Sequence, residues 1–354
     1  MVVSHNLLWE SKPASVKQKP ENPRVGGSIP PLATIFSKAA VDGEHMSYLN
    51  LTRLILLGAI WGASFLFMRI AVPSFGPPVL IELRLLTAAL RLAIVAVATG
   101  RKLQWNRHWR HYSIIGAINS AVPFLLFAYA AMTLPASLLS LFNSLAPIFG
   151  AIVAAIWFRT SVSRSAAIGL ASGVLGVAVL TSDHLMHATV SGNWVVVALS
   201  FGAATLAPVC YAVAGAYIKW KASDSDAFAN AHGSMWASSA LALPLALVFL
   251  PSTSPSGMDW FAATALGVIC TGVAYLLYFK LIAELGPMRT LSVSFLIPVF
   301  GVLWGAVLLN EPVGWTLLVG GVLILLGTAL ATGILKTSRT SEANKTPAQG
   351  SVQK

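Results

Sequence analysis

The chain has 354 residues, of which 56% are hydrophobic and only 10% charged, and its formal net charge is +11. Soluble globular domains carry about 25% charged residues. This chain has too few to clothe a water-facing surface, and its mean hydropathy of +0.75 excludes an ordinary soluble fold. The excess positive charge lies between apolar runs, so no nucleic-acid partner is expected.

Residues 1–45 are polar and rich in Pro, Lys and Ser, with no apolar core of signal-peptide length. They read as a disordered extension or as untranslated sequence. The string Arg24 to Thr34 resembles the translated end of a transfer-RNA gene, and Met46 stands just ahead of the first apolar run. Initiation at Met46 is expected.

Ten apolar runs follow: Leu51–Val72, Val79–Thr99, His111–Ala131, Ala136–Trp157, Ser165–Thr181, Gly192–Ile218, Ala227–Leu250, Trp260–Ile282, Met288–Leu308 and Val313–Leu335. Each is close to the roughly 20 residues that cross a bilayer as a helix. Lipid leaves no partner for an open backbone, so each is expected to be helical. The connections are short and polar, as in Ser74 to Pro78 and Asn310-Glu311-Pro312. None can hold a soluble domain, and no Gly-rich phosphate loop appears, which argues against an ATP-driven pump. The tail, 337–354, reads as disordered.

Lys and Arg fall on one side throughout. Arg101, Lys102, Arg107 and Arg110 follow the second run, Arg159 and Arg164 the fourth, and Lys219 and Lys221 the sixth. Arg289 opens the ninth, and Lys336 and Arg339 follow the tenth. The alternate loops hold Asp183, Asp259 and Glu311 instead. By the positive-inside rule both termini are expected in the cytoplasm.

The chain also repeats itself. Pro147 and Pro298 occupy matching places within Leu145 to Gly150 and Leu296 to Gly301, at an offset of 298 − 147 = 151. The same offset pairs Gly116 with Gly267, Phe127 with Tyr278, Gly169 with Gly320 and Gly176 with Gly327. The basic Arg159–Arg164 loop maps onto the acidic Asn310–Glu311 loop, so the pattern is kept while the orientation signal is swapped. The predicted fold class is an all-α membrane protein of ten transmembrane helices, arranged as two inverted five-helix repeats over residues 46–182 and 183–336. Inverted repeats are a recurring basis of alternating-access transport.

Candidate site residues follow from helix breaks and intramembrane charge. Pro147 and Pro298 are read as matching helix breaks, each freeing a carbonyl about one turn earlier. That places acceptors near Asn143 and Ser294, beside Ser140, Ser144 and Ser292. These are substrate-binding candidates, with helix-packing hydroxyls as the alternative. Arg69, Glu82 and Arg84 lie in the outer parts of the first two runs; ionisable groups there mark an ion pair or a function. An Arg69–Glu82 pair is expected, or a gate and an anion site in which Arg69 or Arg84 meets a substrate carboxylate. Lys280 is expected to pair with Glu284, four residues on. Glu82 and His232 are coupling or gating candidates, since no Asp or Glu lies at mid-span; an exchanger is the alternative. Trp61 and Tyr129 are cavity candidates, with core packing as the alternative. Cys210 and Cys270 imply no disulfide framework. His184, His187 and Asp183 read as a solvated loop rather than a metal site. No metal, cofactor or catalytic residue is expected.

The segment Gly58-Ala59-Ile60-Trp61-Gly62-Ala63-Ser64-Phe65 resembles the opening of EamA-type members of the drug/metabolite transporter superfamily, and so does Glu82-Leu83-Arg84. Tyr275 to Lys280 followed by Glu284-Leu285-Gly286-Pro287 resembles its eighth span, and Leu296 to Phe300 followed by Leu309-Asn310-Glu311-Pro312 its ninth. The resemblance covers roughly Leu51 to Lys336. One departure is span six, where Ala207-Pro208 precedes Cys210-Tyr211-Ala212 and the family's Trp is missing; the run reads as Pro-broken. The resemblance implies a multi-pass protein of the bacterial inner membrane that carries small metabolites, often an exporter of amino acids or related compounds. An exchanger of sugar phosphates or nucleotide sugars is the alternative within transport, and an intramembrane enzyme the alternative of another class. The expected partners are a small-molecule substrate and the bilayer; a homodimer is left open.

Overall fold

The computed structural model describes residues 47–190, 193–221, 225–251 and 254–333, and the side chains at 183–190, 287 and 288 fall outside that description. The segment 1–45, Met46, the tail 337–354 and the side chains of Asp183, His184 and His187 therefore lie outside the described residues.

The described residues form helices and no strand. Seven helices are long and apolar enough to cross a membrane, and two shorter apolar ones accompany them. The first, α1 (Tyr48–Ala98), is 51 residues long but is broken at Gly76, whose φ of 70° and ψ of 159° are not helical. Such a conformation is open to glycine and hardly to other residues, and Pro77 and Pro78 behind it lack the N–H groups that would rejoin the ladder. The break divides α1 into arms 48–75 and 77–98, which carry the first two predicted runs.

Next come α2 (Trp105–Gly116) and α3 (Val122–Ala130), joined by a π-helical turn at Ala117–Ala121. Then follow α4 (Ala136–Asn143), α5 (Ala146–Trp157), α6 (Arg164–Val190), α7 (Trp194–Lys221) and α8 (Ala227–Val248). α9 (Gly257–Gly267) and α10 (Ala274–Thr290) are joined by a second π-helical turn at Val268–Val273, and α11 (Val293–Leu308) and α12 (Trp315–Ala331) complete the chain. The first residues of the two π-turns, Ala117 and Val268, are a pair at the repeat offset. Arg159 and Asn310, non-glycine residues with positive φ of 52° and 54°, are another such pair.

Two sequence expectations need correction. Pro147 directly follows a break, at the second position of α5, but Pro298 lies inside the continuous helix α11. The second break falls at Leu291–Ser292 instead, about one helical turn earlier in the repeat frame. Pro208 does not break the sixth run, because α7 continues through it. A proline deletes one ladder bond, and in a bundle the flanking packing can hold the helix together; here Ala203, Ala204 and Ala207 are buried beside it.

Small residues set the crossings. In α6 and α12, a Cβ on Gly169 or Gly327 would sit 2.5 Å from the other's carbonyl oxygen, and Gly176 and Gly320 are matched in the same way. Ser165 donates to the Leu330 carbonyl at 2.7 Å and Ser172 to the Leu323 carbonyl at 2.8 Å. As residue numbers rise on one helix they fall on the other, so the two run antiparallel. Close backbone approach with interhelical hydroxyl bonds is the usual glue of membrane helices. A second crossing is also reciprocal: Gly116 meets Ser238 of α8, and Gly267 meets Thr87 of the second arm of α1. Thr87 and Ser238 are themselves repeat counterparts. Exposed Leu and Val residues such as Val97, Val248 and Val307 cover the outside.

Candidate functional site

Arg84 is a charged side chain held in the interior. It is 6% exposed, carried by the second arm of α1. Its Nε donates to Thr271 Oγ1 at 3.0 Å, and its guanidinium carbon lies 3.6 Å from the centre of the Phe124 ring. Thr271 Oγ1 in turn donates to the Leu266 carbonyl at 3.0 Å across the second π-turn. Tyr211, Cys270 and Tyr275 lie near Arg84. Ser64 lies beside Cys270 and Ser120 beside Tyr275. Both hydroxyls are buried without a hydrogen-bond partner among the described residues.

The repeat explains the shape of this site. Ser120 and Thr271 are repeat counterparts, and so are Phe124 and Tyr275, so each π-turn brings a hydroxyl and an aromatic ring to the same place. Aromatic pairs also cross between the halves, with Phe127 and Tyr278 as counterparts and Trp61 and Tyr211 one residue off the offset. Trp61 packs on Tyr278 at 5.3 Å between ring centres, and Tyr211 on Phe127 at 6.4 Å. The charge is not duplicated. The counterpart of Arg84 is Met235, which is fully buried.

A buried guanidinium without a counter-ion is costly. Arg84 has no carboxylate partner among the described residues, and one hydrogen bond leaves most of its donor fork unused. A planar fork with free N–H groups, backed by a ring, matches a carboxylate bidentately.

A separate cavity of about 380 Å³ is lined by Arg69, Pro73, Thr133, Pro135, Leu309 and Glu311. Its two charged groups hold backbone rather than each other. Arg69 donates to the carbonyls of Ala131 and Met132 at 2.7 and 3.1 Å. Glu311 accepts from the Ala136 and Ser137 N–H groups at 2.7 and 2.9 Å, capping α4 from the other half of the chain.

The expected Arg69–Glu82 pair is therefore absent. Glu82 turns instead to Ser239 of α8, whose hydroxyl donates to Oε1 at 2.5 Å. The Lys280–Glu284 pair is absent too, because Glu284 meets Arg53 at 2.5 Å and Lys280 is exposed. Both expectations followed spacing along the chain, and helix rotation turned the groups elsewhere. His232 Nε2 accepts from Trp236 Nε1 at 3.0 Å, one turn along the same helix.

The hydroxyl candidates separate into two groups. Ser140 donates to the Ser137 carbonyl and Ser144 to the Ser140 carbonyl. The Ser144 carbonyl in turn accepts from Thr328, and Ser140 fills the space above Gly301. Ser292 donates to the Arg289 carbonyl. These three serve helix ends and crossings. Asn143 and Ser294 are half-buried and make no side-chain hydrogen bond among the described residues. Trp61 is half-buried against the core. Tyr129 is 37% exposed and does not line the 380 Å³ cavity. Ser64, Ser120, Thr271 and Tyr275 were not expected at a site. The repeat offset would have paired two of them as hydroxyls, but only the π-turns show that they face one place. Such turns recur at functional positions in helices.

Known proteins agree with this architecture. The model of the EamA-like transporter family matches residues 50–182 and 199–333, once in each half. An uncharacterized transporter of Bacillus subtilis, YvbV, is 29% identical over 87% of this chain and 99% of its own length. A probable terminal-alkyne amino-acid exporter of Streptantibioticus cattleyicolor is 25% identical over 78% of this chain and 91% of its own. A solved crystal structure shares the fold, with a TM-score of 0.54 at 21% identity over 81% of this chain and 98% of that one. The chain is a multi-pass membrane protein for small-molecule transport, and it belongs to the EamA-like transporter family.

Proposed function

We propose that this protein is a secondary transporter that exports amino acids or related small carboxylates by alternating access, with Arg84 receiving the substrate carboxylate. The observation that carries the reading is a deeply buried guanidinium with one protein hydrogen bond, set between Phe124 of one half and Thr271 of the other. A relative named as a probable amino-acid exporter supports the substrate class. Asn143, Ser294 and Trp61 are secondary contacts in this reading. The ten predicted runs, as inverted repeats over 46–182 and 183–336, rock against each other, with both termini in the cytoplasm of a bacterial plasma membrane. The reciprocal crossings of α6 with α12 and of the second arm of α1 with α9 support that symmetry.

A phosphorylated substrate is the weaker reading. A dianionic phosphate calls for several cations. Arg91 and Lys280 are exposed and Arg69 is engaged with carbonyls, which leaves Arg84 as the one buried Lys or Arg among the described residues.

Counterflow of labelled amino acids in proteoliposomes tests the proposal. Arg84→Met, which copies the residue at the equivalent place in the other half, is expected to abolish saturable counterflow while the protein stays monodisperse. Unchanged affinity in that variant would overturn the Arg84 assignment. Tags at the two termini found on opposite faces of the bilayer would overturn the inverted arrangement.

A further inference from the structure

Glu82 is 7% exposed. Its Oε1 accepts from Ser239 at 2.5 Å, and its Oε2 is buried with no partner among the described residues. We propose that the Glu82 carboxyl, held by Ser239 across the two halves, is the proton-binding site that couples transport to a pH gradient. The inference rests on the transporter reading, but not on Arg84 as the substrate anchor.

Three observations support it. First, the packing at this repeat position does not require a carboxyl. The repeat counterpart of Glu82 is Gly233, whose face is filled by the Tyr112 ring, and the counterpart of Ser239 is Ala88. The carboxyl and its hydroxyl partner are additions to one half of a duplicated frame. Second, an isolated carboxylate away from water is expensive, whereas a neutral acid can share one hydrogen bond with a hydroxyl at little cost. Third, the contact joins the second arm of α1 to α8, so relative motion of the halves would part Glu82 from Ser239 and change its surroundings.

The neighbouring titratable groups leave the carboxyl to itself. On its own helix, Arg84 is turned to Thr271 and Phe124, Arg91 lies against Gly272, and Arg69 holds backbone carbonyls. On α8, His232 is bonded to Trp236. On α9, the second π-turn and α10, Asp259 is bonded to Ser256 and Ser74, Cys270 and Tyr275 lie near Arg84, Lys280 is exposed and Glu284 meets Arg53. On α2 and α3, His111 contacts Tyr217, Tyr112 contacts Ser225, and Tyr129 is exposed. α11 carries no ionisable side chain.

The balance is simple. A carboxylate takes one proton from water on one face of the membrane and becomes a carboxylic acid. The proton leaves to water on the other face after the halves have moved.

Two measurements decide it, both on the full chain in lipid. Infrared difference spectra recorded across a pH titration should show the C=O stretch of a protonated carboxyl in the wild type. That band should vanish in Glu82→Gln and shift to higher frequency in Ser239→Ala, where the hydrogen bond is lost. In proteoliposomes, wild-type accumulation of a labelled amino acid should change about tenfold on imposing a pH gradient, within the usual range of coupling between two sites, and Glu82→Gln should not respond. A spectrum in which Glu82→Gln removes no carboxyl band overturns the proposal, and so does a Glu82→Gln protein that still responds to the gradient. If the wild type carries none of the amino acids offered, the substrate reading fails, and the infrared result alone decides on the proton site.

Discussion

Arg53, near the start of α1, and Glu284, near the end of α10, meet at 2.5 Å although 231 residues separate them. Asn50 accepts from the same Arg53 nitrogen at 3.0 Å. The pair is partly exposed, at 18% and 37%, and exposed pairs contribute only about 0–1 kcal/mol to stability. Its consequence is geometric, because it ties the first arm of one half to a helix of the other. Arg53→Ala and Glu284→Ala should each change the thermal unfolding midpoint little but raise the rate at which a thiol reagent reaches Cys270. The exchange Arg53→Glu with Glu284→Arg should restore slow labelling. Labelling kinetics of the four proteins check this.

Glu311 supplies both acceptors at the start of α4. Glu311→Ala should cost about 0.5–2 kcal/mol, as lost caps do. Glu311→Gln should lose less, since one amide oxygen still accepts. Unfolding midpoints in one detergent, compared across the three proteins, give the order.

The α6–α12 crossing tolerates no side chain at its glycines. Gly327→Val places carbon against the Gly169 carbonyl and should destabilise by about 1–3 kcal/mol through overpacking. Ser172→Ala removes one interhelical hydroxyl bond and should cost about 0.6 kcal/mol. A larger loss from the serine than from the glycine would contradict the packing described.

At the buried guanidinium, Phe124→Ala removes the ring under Arg84 and should weaken substrate binding by about 0.5–2 kcal/mol, with Phe124→Trp close to wild type. Arg84→Lys keeps the charge but cannot hold Thr271, lie flat on Phe124 and fork toward a carboxylate together. Its affinity should fall at least about tenfold, or about 1.4 kcal/mol. Equilibrium binding of labelled substrate to purified protein reads both.

Much of this architecture is written in the residues themselves. Apolar runs of spanning length have one backbone solution in lipid, so the helices could be read directly. The offset from Pro147 to Pro298 exposed the duplication; the π-turns and the positive φ of Arg159 and Asn310, which only the structure shows, are paired at the same offset. The partners of the charged side chains could not be read in this way. Arg69 and Glu82 are near neighbours in sequence, yet one holds the carbonyls after α3 and the other a hydroxyl on α8. Glu284 passes over Lys280 for Arg53. Helix formation is decided by local bonding and by the solvent, which the chain carries in its composition. Which face of a helix meets which neighbour depends on rotation and depth, set by glycine contacts such as Gly267 on Thr87 and Gly169 on Gly327, and only the packed bundle decides these.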